Sequence, residues 1–325
     1  MTTTPDIALV YDAAKRLEGH AVRTRLISSP ALNDRLGCRL FIKPEMLQRT
    51  GSFKFRGAYT LISRLSDEVR ARGVVAFSSG NHAQGAAAAA AMHGIPATIV
   101  MPIDAPAMKL ENTKALGATV VTYDRYSEDR QAIAQSICDE QNAVLVRPYD
   151  DPDIISGQGT IGFEIASDLD ELGLKADLVL SPCGGGGLIS GTALALNDVS
   201  PQTQIWAVEP EGHDDTKLSL QKGSIVQNHP DARTICDALA SPMPGDITFA
   251  INSALLAGGL VVSDEEAGLA MAEAFRTLKL VAEPGGAVAL AAVLRGKIDV
   301  AGKTVVVICS GGNVDPALFA KIIHA

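Results

Sequence analysis

Residues 178–195 read LVLSPCGGGGLISGTALA, and this stretch decides the fold class. Apolar residues typical of a buried strand lead into four consecutive glycines, and a helical pattern follows from Leu188. The glycines leave main-chain N–H groups free to surround an anion, and a helix N-terminus adds partial positive charge. The pattern therefore predicts a phosphate-binding loop, the alternative being a plain glycine-rich turn. Neither the lysine of a Walker A loop nor the spacing of a dinucleotide fingerprint is present, which argues against ATP and NAD.

Short apolar runs alternate with helical patterns along the rest of the chain, which is typical of parallel sheets with helices on both faces. The strands are too many for one sheet, so we expect two three-layer α/β domains with mostly parallel sheets. Residues 1–70 and 150–325 would form a large domain and residues 71–149 a small one. The expected strands are 40–42, 74–78, 97–101, 119–122, 143–146, 178–181, 205–208 and 304–309. The expected helices include 83–93, 108–116, 127–138 and 188–195.

The composition excludes several classes of function. The chain has 325 residues, of which 47% are hydrophobic and 20% charged, as in globular proteins with a core of their own. A net charge of −9 and an aromatic content of 4% predict no nucleic-acid partner. The longest uncharged stretch, between His82 and Asp104, is broken by Gly94 and Pro96, so no membrane partner is expected. The five cysteines form no C-x-x-C pair, which favours a reducing, cytoplasmic location.

Three further motifs carry residues suited to chemistry. GSFKFRGA, residues 51–58, places Lys54 between aromatic residues, where desolvation lowers the pKa of an amine and favours Schiff-base formation. The alternative is a lysine whose stem lies along a helix. SSGNHAQG, residues 78–85, suits a carboxylate ligand at a helix N-terminus, or is an ordinary helix cap. CSGGN, residues 309–313, offers the Ser310 hydroxyl to a ring nitrogen, or forms a tight turn.

Together the four motifs indicate a pyridoxal-phosphate site. The set KPExxQxTGSFKxRGA, SSGNHxQG, GGGGL and SGGN resembles the fold-type II pyridoxal-phosphate enzymes, above all the threonine/serine dehydratases and serine racemases. The resemblance extends in order over nearly the whole chain, and the motifs are highly specific as a set. It implies the α/β fold of the tryptophan synthase β-subunit type, pyridoxal 5′-phosphate as cofactor, an amino acid as substrate and a homodimer.

The resemblance also implies roles for individual residues. Lys54 would form the Schiff base with the cofactor, and Ser79 would act as a second catalytic residue on the opposite face. The cofactor would be bound by Phe53, Lys54, Asn81, Gly184, Gly185, Gly186, Gly187, Leu188, Glu283 and Ser310. The substrate would be bound by Ser78, Ser79, Asn81, His82, Arg130 and Ser241. A divalent cation (Mg²⁺, Mn²⁺ or Ca²⁺) would be bound by Glu209, Asp215 and the main-chain carbonyl of His213, unless this acidic loop is merely solvated.

The implied reaction is that of an ammonia-lyase. Lys54 would take the Cα proton as general base, the β-hydroxyl would leave as water, and a 2-oxo acid and ammonia would result. L-Threonine, L-serine and 3-hydroxyaspartate are the candidate substrates. The alternative is an amino-acid racemase, because Ser79 stands where many threonine dehydratases have alanine, although Tyr149 is more typical of dehydratases. Arg147 replaces a histidine common in relatives and either contacts a second substrate carboxylate or is a surface arginine.

Overall fold

The computed structural model describes residues 4–78, 80–105 and 107–324, which contain two parallel sheets. The strands are β1 (Arg39–Pro44), β2 (Val74–Phe77), β3 (Ala97–Pro102), β4 (Thr119–Tyr123), β5 (Val144–Leu145), β6 (Leu178–Pro182), β7 (Gln204–Pro210), β8 (Gly258–Val262) and β9 (Thr304–Cys309). One sheet has the order β1-β9-β6-β7-β8 and the other the order β4-β3-β2-β5. Every pairing between these strands is parallel, so all their carboxyl ends lie at one edge of each sheet.

Helices connect the strands and cover the sheets. They are α1 (Ile7–Leu17), α2 (Pro30–Leu36), α3 (Lys54–Arg64), α4 (Asp67–Arg70), α5 (Asn81–Met92), α6 (Ala107–Ala115), α7 (Arg130–Gln141), α8 (Pro152–Asp170), α9 (Gly187–Val199), α10 (Asp215–Lys222), α11 (Asp246–Leu255), α12 (Asp264–Glu273), α13 (Pro284–Leu294) and α14 (Pro316–His324). One-turn 3₁₀ segments lie at Glu45–Leu47, Arg49–Gly51 and Asp237–Leu239, and a π-helical turn at Ala274–Leu278 extends α12.

The apolar strands build a core on both faces of each sheet, because successive side chains of a strand point to opposite faces. In β9, Val305 and Val307 pack with α12 and α13, whereas Val306 and Ile308 pack with α8 and α9. The four-stranded sheet repeats this arrangement: one face packs against α3 and α5, and the other packs against α7. The prediction of three-layer α/β architecture with parallel sheets is thereby confirmed.

The sequence patterns located most of the strands but not every boundary. Helix α7 begins at Arg130, three residues later than predicted, because the Asp129 side chain accepts hydrogen bonds from the amides of Gln131 and Ala132 and so caps the helix there. Strand β8 was not predicted: it begins with two glycines and lies at the sheet edge, where its pattern is too short to detect. The domain boundaries at residues 70, 149 and 150 stay a prediction.

Two further observations bear on the chain's class. All five cysteines lie in the described part of the chain, where each is buried and unpaired. Among the described residues we find no helix that is both long and apolar enough to cross a membrane.

Candidate active site

The four sequence motifs meet in one cavity between the two sheets, at the carboxyl ends of the strands. Its lining includes the predicted residues Phe53, Lys54, Ser78, Asn81, His82, Arg130, Gly184, Gly185, Gly186, Gly187, Leu188, Ser241, Glu283 and Ser310. Ser79, predicted to act in catalysis and substrate binding, lies outside the described residues. Glu209, His213 and Asp215 are buried but do not belong to the cavity lining.

Lys54 is the first residue of α3, and its amine faces the cavity. Its Nζ donates a hydrogen bond to the main-chain carbonyl of Pro148 at 2.6 Å and lies 5.1 Å from the centre of the Phe53 ring. Burial lowers the pKa of Lys54 to about 8, because the charged form loses its hydration, while the charge of Glu283 opposes this shift. About a tenth of the amine is therefore neutral at pH 7, far more than for an ordinary lysine, and the neutral form is the one that a nucleophile or base requires.

The loop before Lys54 is held by the loop after β9. The amide of Phe53 donates to the Ser310 carbonyl at 3.1 Å, and the amide of Gly312 donates to the Gly51 carbonyl at 2.9 Å. These bonds join segments about 260 residues apart in the chain, so only the tertiary structure brings the lysine beside the buried Ser310 side chain.

The glycine loop forms a cradle lined by main chain. Gly186 has a φ of +94°, a conformation that favours glycine, and α9 begins at the next residue. A Cβ on Gly185 would lie 2.4 Å from the carbons of the Tyr149 ring, so no side chain fits there. Among the described residues, the amides of Gly184, Gly185 and Gly186 have no hydrogen-bond acceptor, which leaves them free for an anion. The residues present thus fit a phosphate group.

Asn81 and Glu283 form a polar pair beside the amine of Lys54. The Nδ2 atom of Asn81 donates to Oε1 of Glu283 at 2.5 Å. Glu283 is 2% exposed, and burial, together with the charge of Asp237, raises the pKa of its carboxyl to about 7. The pair places an N–H donor and a carboxyl that titrates near neutral pH in the wall of the cavity.

His82 is neutral and its side chain offers an acceptor. Nε2 lies 2.8 Å from the carbonyl of Val146, which can only accept, so this nitrogen carries the proton. Nδ1 is buried without a partner among the described residues. Burial, aided by the charge of Lys54, lowers the pKa of His82 to about 3. Nδ1 therefore carries no proton to donate to an anion in the cavity.

Three charged side chains line the rest of the cavity. The guanidinium of Arg130 lies 5.6 Å from the centre of the Phe77 ring and forms no ion pair with an acidic side chain among the described residues. Lys109 of α6 forms an ion pair with Asp237 at 2.9 Å, an interaction across the cavity that the sequence analysis missed. No local sequence pattern predicts this ion pair, because Lys109 and Asp237 are 128 positions apart. Arg147 is exposed and is absent from the lining.

The candidate metal residues form a buried acidic cluster at the end of β7. The Glu209 carboxylate accepts hydrogen bonds from the amides of Thr216 and Lys217, both at 2.8 Å. Asp215 accepts from Asn228 at 2.6 Å, and its Oδ2 has no partner among the described residues. Burial raises the pKa of Asp215 to about 7 and that of Glu209 well above its usual range, the latter aided by the charge of Asp215.

This cluster is small for a metal site built from side chains alone. The described residues contain no group of three or more His, Cys, Asp or Glu side chains arranged to hold a metal. Among the described residues, these two buried carboxylates have no cationic partner, and one of them has an oxygen without a hydrogen-bond partner. They nonetheless fit a hard cation that takes its remaining ligands from carbonyls and water.

Comparison with known proteins agrees with this geometry. Residues 17–311 match a family model described as pyridoxal-phosphate dependent enzyme. The chain is 44% identical to L-threo-3-hydroxyaspartate ammonia-lyase of Saccharomyces cerevisiae. The alignment of 320 residues covers 98% of this chain and 96% of the relative. It is 42% identical to L-threonine ammonia-lyase of Thermotoga maritima. The alignment of 326 residues covers 100% of this chain and 79% of the relative.

A solved structure gives the same result for the fold. The structure of maize serine racemase superimposes with a TM-score of 0.92 at 38% identity, over 99% of this chain and 98% of the other. The structural similarity therefore extends through both sheets.

Proposed function

The chain belongs to the family of pyridoxal-phosphate dependent enzymes, and on that premise we propose that it is an ammonia-lyase that converts a β-hydroxy amino acid into a 2-oxo acid and ammonia. One observation carries the proposal: a lysine amine with a lowered pKa, a cradle of free amides and a buried serine hydroxyl line the same cavity. The ammonia-lyases to which the chain is 42–44% identical support the same reaction class.

Pyridoxal phosphate, when bound, supplies a conjugated ring that accepts the electron pair left as the Cα–H bond breaks. The amides of the glycine loop would hold its phosphate at the N-terminus of α9. Asn81 would donate a hydrogen bond to the ring oxygen, and Ser310 would face the ring nitrogen. Because a hydroxyl does not keep that nitrogen protonated as an aspartate would, the ring is a weaker electron sink, and loss of a β-substituent competes well with transamination.

Lys54 would act as the base at Cα. Its pKa of about 8 gives a neutral amine at a pH where an ordinary lysine is almost fully charged. Ser78, Ser79 and the main-chain amides at the start of α5 would hold the substrate carboxylate. Because the imidazole of His82 is neutral, it places no second positive charge near Lys54. The basicity of the lysine amine is therefore preserved.

Arg130 favours a substrate with a second carboxylate. It is a cation on the cavity wall without an acidic partner among the described residues, whereas Lys109, which also lines the cavity, is paired with Asp237. We therefore propose 3-hydroxyaspartate as the preferred substrate, with L-serine and L-threonine as weaker ones. The yeast relative named for L-threo-3-hydroxyaspartate supports this choice.

A 2-oxo acid assay over L-serine, D-serine, L-threonine and both diastereomers of 3-hydroxyaspartate tests the activity and its specificity. Removing the guanidinium in Arg130→Met should lower kcat/KM for 3-hydroxyaspartate by about 10- to 100-fold, because a charge-assisted contact is lost. The value for L-serine should change by less than about threefold. Arg147→Met is the matched control, since Arg147 is exposed outside the cavity. Equal losses for both substrates would refute the role of Arg130, and full activity in Lys54→Ala would refute the enzyme class.

A racemase is the second candidate, supported by the fold shared with maize serine racemase and by the serine at position 79. A proton donor opposite Lys54 would complete inversion at Cα. Recovered substrate with deuterium at Cα and inverted configuration would establish this activity. Ser79→Ala should then abolish racemisation and spare elimination.

We further propose a divalent cation (Mg²⁺, Mn²⁺ or Ca²⁺) at Glu209, Asp215 and the carbonyl of His213. The buried carboxylates and the unpartnered oxygen of Asp215 support it. Millimolar Mg²⁺ should raise the Tm of the protein and EDTA should reverse the effect, because a ligand bound only by the folded state stabilises it. Asp215→Asn should remove this response while Asp214→Asn keeps it; a response that survives in Asp215→Asn places the cation elsewhere.

The family resemblance also supports a homodimer, and the unpaired cysteines support the cytoplasm as its location. Sedimentation at several protein concentrations tests the first proposal, and a monomer throughout would refute it. Cell fractionation tests the second.

A further inference from the structure

Asn313, the last residue of the SGGN motif, makes contacts that its position in the sequence does not announce. Its Nδ2 donates to the main-chain carbonyl of Thr50 at 2.7 Å and to Oδ1 of Asn81, also at 2.7 Å. One amide nitrogen thus joins the loop that precedes Lys54 to the residue that heads α5. Thr50 has a φ of +61°, a rare conformation for threonine. In this conformation the main-chain carbonyl of Thr50 faces the side chain of Asn313.

These two contacts determine which atoms donate and which accept in the hydrogen bonds that link Asn313, Asn81 and Glu283. A carbonyl only accepts, so the Asn313 atom facing Thr50 is the amide nitrogen. The same nitrogen faces Asn81, which must therefore turn its oxygen toward Asn313. The nitrogen of Asn81 is left on the other side, where it donates to Glu283 at 2.5 Å. Were the Asn81 amide reversed, two N–H groups would face each other at the Asn313 end.

The orientation matters because Asn81 lines the cavity together with Lys54, Glu283 and Ser310. An N–H donor in this place stabilises an anionic ring oxygen, whereas a carbonyl oxygen there would repel it. We propose that Asn313 is a positioning residue: it holds the Asn81 amide with its N–H group turned into the cavity and ties that amide to the loop carrying Lys54. This inference rests on the proposed function, since it needs pyridoxal phosphate in the cavity.

The experiment compares Asn313→Ala and Asn313→Asp with the wild-type protein. Asn313→Asp keeps the shape of the side chain but removes both donors, so Asn81 should lose its preferred orientation. We expect pyridoxal phosphate to bind about tenfold more weakly, and the ratio of its two absorption bands to shift several-fold toward the form with a protonated ring oxygen. Asn197→Asp, the same change at an exposed position of α9, should alter neither.

A double-mutant cycle with Asn81→Ala separates positioning from general support of the loop. If Asn313 acts through Asn81, Asn313→Ala should change the band ratio and the Kd by less than about twofold in the Asn81→Ala background. An effect that persists undiminished in that background overturns the proposal, as does a wild-type band ratio in Asn313→Asp. Should Asn313→Ala fail to fold, as judged by the melting of the cofactor-free protein, the isosteric Asn313→Asp is used in the cycle. A wild-type protein that binds no pyridoxal phosphate refutes the proposed function instead.

Discussion

The lowered pKa of Lys54 leads to a quantitative prediction about its reactivity. Because burial lowers this pKa to about 8 from 10.5, the amine of the cofactor-free protein should gain reactivity through a midpoint near pH 8. At pH 7 about 9% of the amine would be neutral, against about 0.03% for a lysine of ordinary pKa. The difference is about 300-fold in the concentration of the nucleophilic form.

The neighbouring carboxyl gives the prediction a second test. The negative charge of Glu283 favours the charged amine and so opposes the effect of burial. Glu283→Gln removes that charge, and the midpoint should fall further below 8. Glu211→Gln, the same change on an exposed side chain, serves as the matched control and should leave the midpoint in place.

Trace labelling with acetic anhydride over a range of pH measures the reactivity directly. The extent of acetylation is read from the Lys54 peptide by mass spectrometry, with the exposed Lys15 as the reference in the same digest. The Lys54 rate should rise with pH and level off above about 9. A rate that is still rising at pH 10, with a midpoint at or above that value, would refute the argument that burial prepares this amine for reaction.

Three further variants test the glycine cradle, the buried ion pairs and the contact across the cavity. Gly185→Ala places a methyl group 2.4 Å from the Tyr149 ring, so pyridoxal phosphate should bind at least about tenfold more weakly in a spectrophotometric titration. Arg56→Met leaves two carboxylates without their buried guanidinium partner and should lower the free energy of unfolding in urea by about 3–5 kcal/mol. Lys109→Met removes the ion pair with the half-exposed Asp237 and should raise KM by about two- to fivefold with little change in kcat.

The arginine variant and the lysine variant each have a control. Arg72→Met removes an ion pair with the exposed Glu68 and should cost less than about 1 kcal/mol, so an equal loss in the two arginine variants would contradict the role of burial. Asp237→Asn should reproduce the effect of Lys109→Met, and the double variant should add little to it. A change of kcat alone in either variant would speak against an ion pair that acts on substrate binding.

The apolar pattern of the inner strands could be recognised in the sequence because helices cover both faces of each sheet. Helices lie on both faces, so the residues of the inner strands are almost all apolar, as in the VVVIC run of β9. Strand β8 was not predicted because it lies at the edge of its sheet and begins with Gly258 and Gly259. These residues have no side chain whose polarity could indicate burial. The start of α7 was misplaced because the capping role of Asp129 is decided by its local hydrogen bonds.

The sequence by itself determined the chemistry of the candidate site. Lys54, the four glycines and Ser310 lie in motifs whose residue types suit an amine, an anion cradle and a hydroxyl, and each motif follows or precedes a strand or helix that can be recognised locally. In a parallel sheet the strand ends gather at one edge, which is why motifs separated by more than 100 residues were expected to meet.

Only the tertiary structure decided which side chains touch one another across the cavity. The ion pair of Lys109 with Asp237 and the bond from Asn313 to Asn81 join residues 128 and 232 positions apart. The pKa of Lys54 likewise depends on how deeply the packed sheets bury its amine. Contacts and desolvation arise when distant segments pack together, and no local pattern of residues encodes the distance between them.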